Sequence, residues 1–191
     1  MSEPTFKKLA EGELDPAQLK VYRELMAGPR GGVRGPFNAL LRSPVLADRV
    51  QKLGEFLRFE SSIPARLNEF AILITARRWN AQYEWFAHYP HAMKGGLKPE
   101  IADEVAQGKR PASMQDDEAI VYDFCTELHR DKVVSDKTLT AAFDKFGERG
   151  VIDLIGVTGY YTLVSMILNV DKQPLPAGTP PPLPVLKYGV V

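Results

Sequence analysis

The chain has 191 residues, of which 45% are hydrophobic and 25% are charged, a balance typical of a folded globular protein rather than a disordered one. Its 24 basic and 24 acidic residues cancel, so no overall field favours nucleic acid or an anionic membrane, and we expect neither as a partner. This length supports one hydrophobic core, which predicts a single domain over residues 1–191.

Cysteine usage and the N-terminal stretch bear on the compartment. Cys125 is the only cysteine, which excludes an internal disulfide framework and any CxxC redox or zinc motif within one chain. The stretch MSEPTFKKLAEGELDP carries distributed charges and no apolar segment, so no secretory signal is expected. Both features favour a cytoplasmic protein.

Helical signals follow one another along the chain, and no run of period-two alternation indicates a strand. The first helix is marked by Asp15 as a cap and Pro16 at the first helical position. A glycine- and proline-rich stretch, GPRGGVRGP, interrupts the helical pattern after it. The fold class predicted is all-α, with seven to nine helices. The predicted helical segments are 15–27, 36–42, 43–59, 62–80, 81–94, 98–107, 115–131, 135–147 and 150–170.

Two segments near the C-terminus have distinct characters. The stretch 154–170 is apolar nearly all round but is interrupted by polar residues, so it predicts a buried helix enclosed by other helices or by another subunit, not a membrane span. The tail 173–191 is rich in proline and cannot be helical, so we expect it to wrap over the surface or onto a neighbour.

The stretch AQYEWFAHYPHA places Glu84, His88 and His91 one turn apart, on one stripe of a predicted helix. A carboxylate beside an imidazole suits acid-base chemistry, because an imidazole titrates near neutrality. Such a stripe also occurs as a plain polar helix face. Metal binding is not expected, since the spacing is not HExxH and His129 lies on a different predicted helix.

Four further features have two interpretations each. Glu69 begins an apolar run, so it is either a site carboxylate or the structural partner of Arg66. The loop GPRGGVRGP, with Arg30 and Arg34, is either an anion-binding loop or a rigid turn. Cys125 is typical of a small buried hydrophobe rather than a reactive thiol. The aromatic pairs Trp85-Phe86 and Tyr160-Tyr161 are more typical of core or interface than of a ligand box.

The run from Glu69 through ILITARRWNAQYEWFAHYPHAMKGGL, followed by FGERGVIDLIGVTGYYTLVSMILNV, resembles the carboxymuconolactone decarboxylase family, whose redox branch contains the alkylhydroperoxidase D proteins. The resemblance covers residues from about 20 to about 170. It implies an all-helical bundle of the alkylhydroperoxidase D type. It also implies a homo-oligomer, usually a trimer or hexamer, with a dimer as a further option.

The resemblance also implies roles for individual residues. In the redox branch a Glu, a CxxC pair and a His form a proton relay. Here Glu69 falls on the relay glutamate and His88 on the relay histidine, whereas Ala81 and Glu84 stand where the two cysteines would be. No thiolate can form at either position, so a dithiol peroxidase mechanism is excluded.

The decarboxylase branch of the family, which uses neither metal nor organic cofactor, fits these residues better. It implies a cofactor-independent lyase acting on a small carboxylated lactone or organic acid, with His88 as proton donor and Glu84 or Glu69 orienting it. The residues expected to bind the substrate are Arg30, Arg34, Arg77 and His91. The alternatives are a non-catalytic binding or structural member of the family, and a weak peroxidase that acts through Cys125.

Overall fold

The structure is a computed structural model that describes residues 3–29 and 31–186. Over these residues it contains helices and no strand, which confirms the predicted all-α class. A short 3-10 helix at Glu11–Glu13 precedes the α-helices. These are α1 (Pro16–Ala27), α2 (Phe37–Leu40), α3 (Pro44–Phe59), α4 (Ala65–Arg78), α5 (Gln82–Gly95), α6 (Pro99–Ala106), α7 (Asp116–Asp131) and α8 (Asp136–Asp171).

The helix starts and breaks follow from local sequence. The Asp15 side chain accepts hydrogen bonds from the backbone N–H groups of Ala17 and Gln18, and Pro16 follows it as the first residue of α1. α8 is broken at Gly147, whose φ of 66° and ψ of 178° are not helical. A positive φ is easy only for glycine, so this residue separates the two helical segments that the sequence predicts.

α4 is the central helix of the fold. Residues 67–77 are all buried, and α4 packs against α5, α6, α7 and α8. A Cβ atom at Gly95, the last residue of α5, would lie 3.1 Å from the Cα atom of Arg66 in the first turn of α4. The two helices therefore approach closely at this glycine, and the antiparallel pairing brings the middle of α5 beside the first half of α4.

α8 is only partly enclosed by the rest of the chain. Within the described residues it is the one helix long and apolar enough to cross a membrane, but 56% of its most apolar window is buried inside the protein. The core helix of a soluble protein passes the same test, so its length is weak evidence for a membrane span. Its outward face is exposed and apolar at Ile152, Ile155, Met166 and Val170.

The described part of the proline-rich tail, 173–186, is non-helical as predicted and folds back onto the helices; its last residues, 187–191, lie outside the described residues. The Gln82 side chain donates a hydrogen bond to the Leu183 carbonyl at 3.0 Å and accepts one from the Leu183 N–H at 2.9 Å. Arg77 donates to the carbonyl of Pro184 at 3.0 Å. The tail thus docks beside the start of α5 through one buried leucine and through hydrogen bonds between its backbone and the side chains of Gln82 and Arg77.

We expect Leu183→Ala to destabilise the protein by about 2–3 kcal/mol. Leu183 is 2% exposed, and truncating a buried leucine removes apolar burial and leaves a cavity. The matched control is Val185→Ala two residues away, because Val185 is 96% exposed and its truncation is expected to change stability by less than about 0.5 kcal/mol. Urea unfolding of both variants measures the difference, and equal stabilities would show that the tail is not docked.

Candidate acid-base site

His88 lies between two carboxylates. Its Nδ1 atom is 2.6 Å from Oε2 of Glu69, and its Nε2 atom is 3.1 Å from Oε1 of Glu84. Glu84 and His88 are one turn apart on α5, and Glu69 reaches the ring from α4, the helix that packs beside it. The three side chains are buried and meet as the sequence predicts.

The structural alternative for Glu69, a pair with Arg66, is wrong. Arg66 donates to the carboxylates of Asp117 and Glu118 on α7 instead. Glu69 forms a hydrogen bond to His88, so its buried carboxylate is compensated by an imidazole rather than by a guanidinium.

The charge state of His88 follows from two opposed effects. Burial by itself lowers the pKa of His88, but the negative charges of Glu84 and Glu69 and their hydrogen bonds outweigh it and raise the pKa to about 9. His88 is therefore an imidazolium at neutral pH, with each ring N–H facing a carboxylate.

An open cleft of about 490 Å³ lies in front of this triad. His88 and Glu84 line it, whereas Glu69 does not. The other walls are formed by the glycine-rich loop with Arg34, by the C-terminal end of α3 with Arg58, and by α8. Glu69 thus holds the ring from α4, while Glu84 and His88 face any bound molecule.

α8 contributes two tyrosines to the cleft. The Tyr161 ring stands edge-on to His88 with its centroid 5.0 Å away, and Tyr160 packs against Tyr161 at 5.1 Å. Burial, reinforced by the Glu84 charge, raises the pKa of Tyr161 well above its ordinary value, so its phenol stays neutral. The two residues belong to the core, as the sequence indicates, but they also line the cleft.

The predicted substrate-binding residues have different outcomes. Arg34 and His91 line the cleft, and the His91 ring centroid is 5.9 Å from that of His88. Arg30 lies outside the described residues. The prediction for Arg77 is wrong: its guanidinium donates to the Ala106 carbonyl and to the Asn80 side chain, and it does not line the cleft. Arg77 lies more than two helical turns after Glu69 on α4, about 12 Å farther along the helix axis.

Arg58 is a cleft residue that the sequence does not reveal. It is the penultimate residue of α3, and it lines the cleft together with Phe59. No motif marks it, because its position depends on how α3 packs against α8. The same holds for Tyr161, which the sequence places in an apolar helix without indicating which face meets His88.

Cys125 does not line the cleft. Its side chain is fully buried on α7 and its Sγ atom lies 3.5 Å from the hydroxyl oxygen of Thr158. Burial raises the pKa of Cys125 to about 12, so the thiolate needed for attack on a peroxide does not form at neutral pH.

Among residues 3–29 and 31–186, no group of three or more His, Cys, Asp or Glu side chains is arranged to hold a metal ion.

Comparisons with known proteins bear on the fold. No family model and no curated protein matches the chain. The solved structure of an uncharacterized peroxidase-related protein from Silicibacter sp. TM1040 matches with a TM-score of 0.70, covering 90% of this chain and 91% of that one at 16% sequence identity. At this identity the likeness establishes the fold alone. The chain has the all-helical, alkylhydroperoxidase D-like fold that the sequence predicts.

Proposed function

We propose that the protein is a cofactor-independent, decarboxylase-like lyase that acts on a small carboxylated lactone or organic acid by acid-base chemistry. The observation that supports this is the imidazole ring of His88, held between Glu69 and Glu84 and lining a cleft of about 490 Å³. A cleft of this volume suits a small molecule. The partner proposed is therefore a small-molecule substrate, not nucleic acid or a membrane.

The proposed reaction uses His88 as a general acid. When the carbon–carbon bond to the carboxylate breaks, CO₂ leaves and the electron pair stays on the substrate carbon as an enolate-like carbanion. His88 and Glu84 line the cleft, and the Nε2 proton of His88, on the side of Glu84, moves to that carbon. Solvent then restores the proton to His88. Glu69 is a positioning residue, because it holds Nδ1 and does not line the cleft.

A screen for CO₂ release tests the proposed function. The panel contains β-keto acids and carboxylated lactones, each incubated with the protein at pH 7 and with buffer alone. We expect at least one compound to release CO₂ faster with the protein than in buffer. If no compound does so, the alternative of a non-catalytic binding protein on this fold gains support.

The second alternative, a thiol peroxidase, is tested by hydroperoxide reduction with a thiol reductant. The burial and raised pKa of Cys125 oppose it, so we expect no reduction above background. Efficient reduction that Cys125→Ala abolishes would refute the acid-base proposal in favour of the thiol peroxidase.

We also propose that the chain forms a homo-oligomer, a trimer or hexamer, through the outward face of α8. Ile152, Ile155, Met166 and Val170 recur at helical spacing on that face and are exposed. A second copy of the chain would bury them.

Sedimentation velocity at micromolar concentration tests the assembly. We expect an oligomer for the wild type and dissociation for Ile152→Glu, which places a charge in the proposed interface. The control is Val133→Glu, equally exposed but located after α7. A monomeric wild type would contradict the proposal.

A further inference from the structure

We propose that Arg58 is the carboxylate-binding residue of the cleft, so that the cleft takes a carboxylate anion with a flat apolar body. The inference rests on the proposed function, whose reaction needs a carboxylated substrate, and it assigns the anion to a residue that the sequence does not indicate. Arg58 lines the same cleft as Glu84 and His88 and comes from a different helix, α3.

The guanidinium of Arg58 has no anionic partner in the part of the chain that the structure describes. It forms no ion pair there, and its Nε atom is buried without a hydrogen-bond partner. Its contact is with the face of Phe59, 5.1 Å from the ring centroid. By contrast, Arg66 is paired with two carboxylates, and Arg77 donates to backbone carbonyls. The guanidinium N–H groups of Arg58 are therefore available to donate hydrogen bonds to a ligand.

The charge balance of the cleft favours an anion at this position. Two carboxylates flank His88, so a negatively charged substrate needs a cation away from the triad. Arg58 supplies one, and its charge reaches the site: burial lowers the pKa of His91, the charge of Glu69 opposes this, and the charge of Arg58 lowers the pKa again. A carboxylate on Arg58 therefore neutralises a charge that no side chain of the described residues pairs with.

The remaining lining defines the body of the ligand. Phe59, Phe86, Tyr160 and Val164 give the cleft apolar and aromatic walls, and Phe59 is exposed at its edge. Flat unsaturated or aromatic groups pack well against such side chains. The ligand class is therefore a small carboxylate whose planar body lies between Arg58 and the His88–Glu84 pair.

The test is calorimetric binding of phenylacetate and of its uncharged analogue phenylacetamide at pH 7. We expect the wild type to prefer phenylacetate, and Arg58→Gln to weaken phenylacetate binding about 10- to 100-fold while leaving the amide unaffected. Arg58→Lys keeps the positive charge but lacks the paired donors of a guanidinium. Its affinity for phenylacetate should therefore lie between those of the wild type and Arg58→Gln. Arg49→Gln is the matched control, since Arg49 is on the same helix, exposed and paired with Asp48. Circular dichroism confirms that each variant is folded.

Two results would overturn the inference: equal wild-type affinity for the acid and the amide, or unchanged phenylacetate affinity in Arg58→Gln. Failure of the proposed function gives a different result. If no compound of the screen is turned over while Arg58→Gln still loses phenylacetate binding, the anion site stands and the lyase does not. If His88-dependent turnover is found with the same KM in Arg58→Gln and wild type, the lyase stands and the anion site does not.

Discussion

Replacing His88 by asparagine is expected to lower the turnover of any substrate found by about 100- to 10,000-fold, the range typical of a general acid. Asparagine is similar in size and retains a donor toward Glu69, but it cannot hold and release a proton. The expected loss therefore falls on kcat rather than on KM. Steady-state kinetics of the purified variant measure it.

Two control substitutions separate this effect from general damage. His129→Asn removes another partly buried histidine, which contacts Thr75 and does not line the cleft, and Cys125→Ala removes the thiol. Both variants are expected to turn over substrate at close to the wild-type rate. Activity of His88→Asn within a factor of about three of wild type would show that His88 is not the proton donor.

Stability is expected to fall by about 3 kcal/mol between pH 6.5 and pH 9 because of His88 alone. The pKa of His88 is about 9 in the folded chain against an ordinary value of 6.5, so the folded state binds the proton more tightly than the unfolded state. The contribution is present in full below pH 6.5 and is lost as the pH rises through 9. Above that value both states are deprotonated and nothing remains.

Urea unfolding at closely spaced pH values measures this dependence. The informative quantity is the stability of wild type minus that of His88→Asn, in which contributions from other groups that titrate in alkali cancel. His129→Asn serves as a control because the pH dependence of stability that His129 contributes has the opposite sign. Burial lowers the pKa of His129 to about 4, so its contribution is present above pH 6.5 and is lost as the pH falls toward 4. A wild-type minus His88→Asn difference that stays flat from pH 6.5 to 9 would contradict the raised pKa.

Much of the fold can be read from local sequence. The Asp15-Pro16 start of α1 and the break at Gly147 depend on residues next to one another, and the structure has both. α8 shows the limit of such reasoning. Its apolar composition predicts that it is enclosed, but one face remains exposed at Ile152 and Val170, because composition does not say what covers a helix.

The candidate site can be predicted from the sequence only in part, because some of its residues come from helices that are far apart in the chain. The spacing of Glu84 and His88 predicts that they share a helix face, and the family resemblance identifies Glu69 as a residue of the same site. Arg58 and Tyr161 come from α3 and α8, and their approach to His88 is set by helix packing that no local pattern encodes. Arg77 is the opposite case: a basic residue close in sequence to Glu69 whose side chain binds backbone carbonyls elsewhere.

The central claim is that His88 is a cation at neutral pH because Glu69 and Glu84 hold it. The most direct measurement is ¹⁵N NMR of the histidine side chains across pH 5 to 10, with the His88 signals assigned from their absence in His88→Asn. We predict that both ring nitrogens of His88 remain protonated at pH 7 and titrate near pH 9, and that Glu69→Gln moves this titration to lower pH. A neutral His88 ring at pH 7 in the wild type would contradict the account.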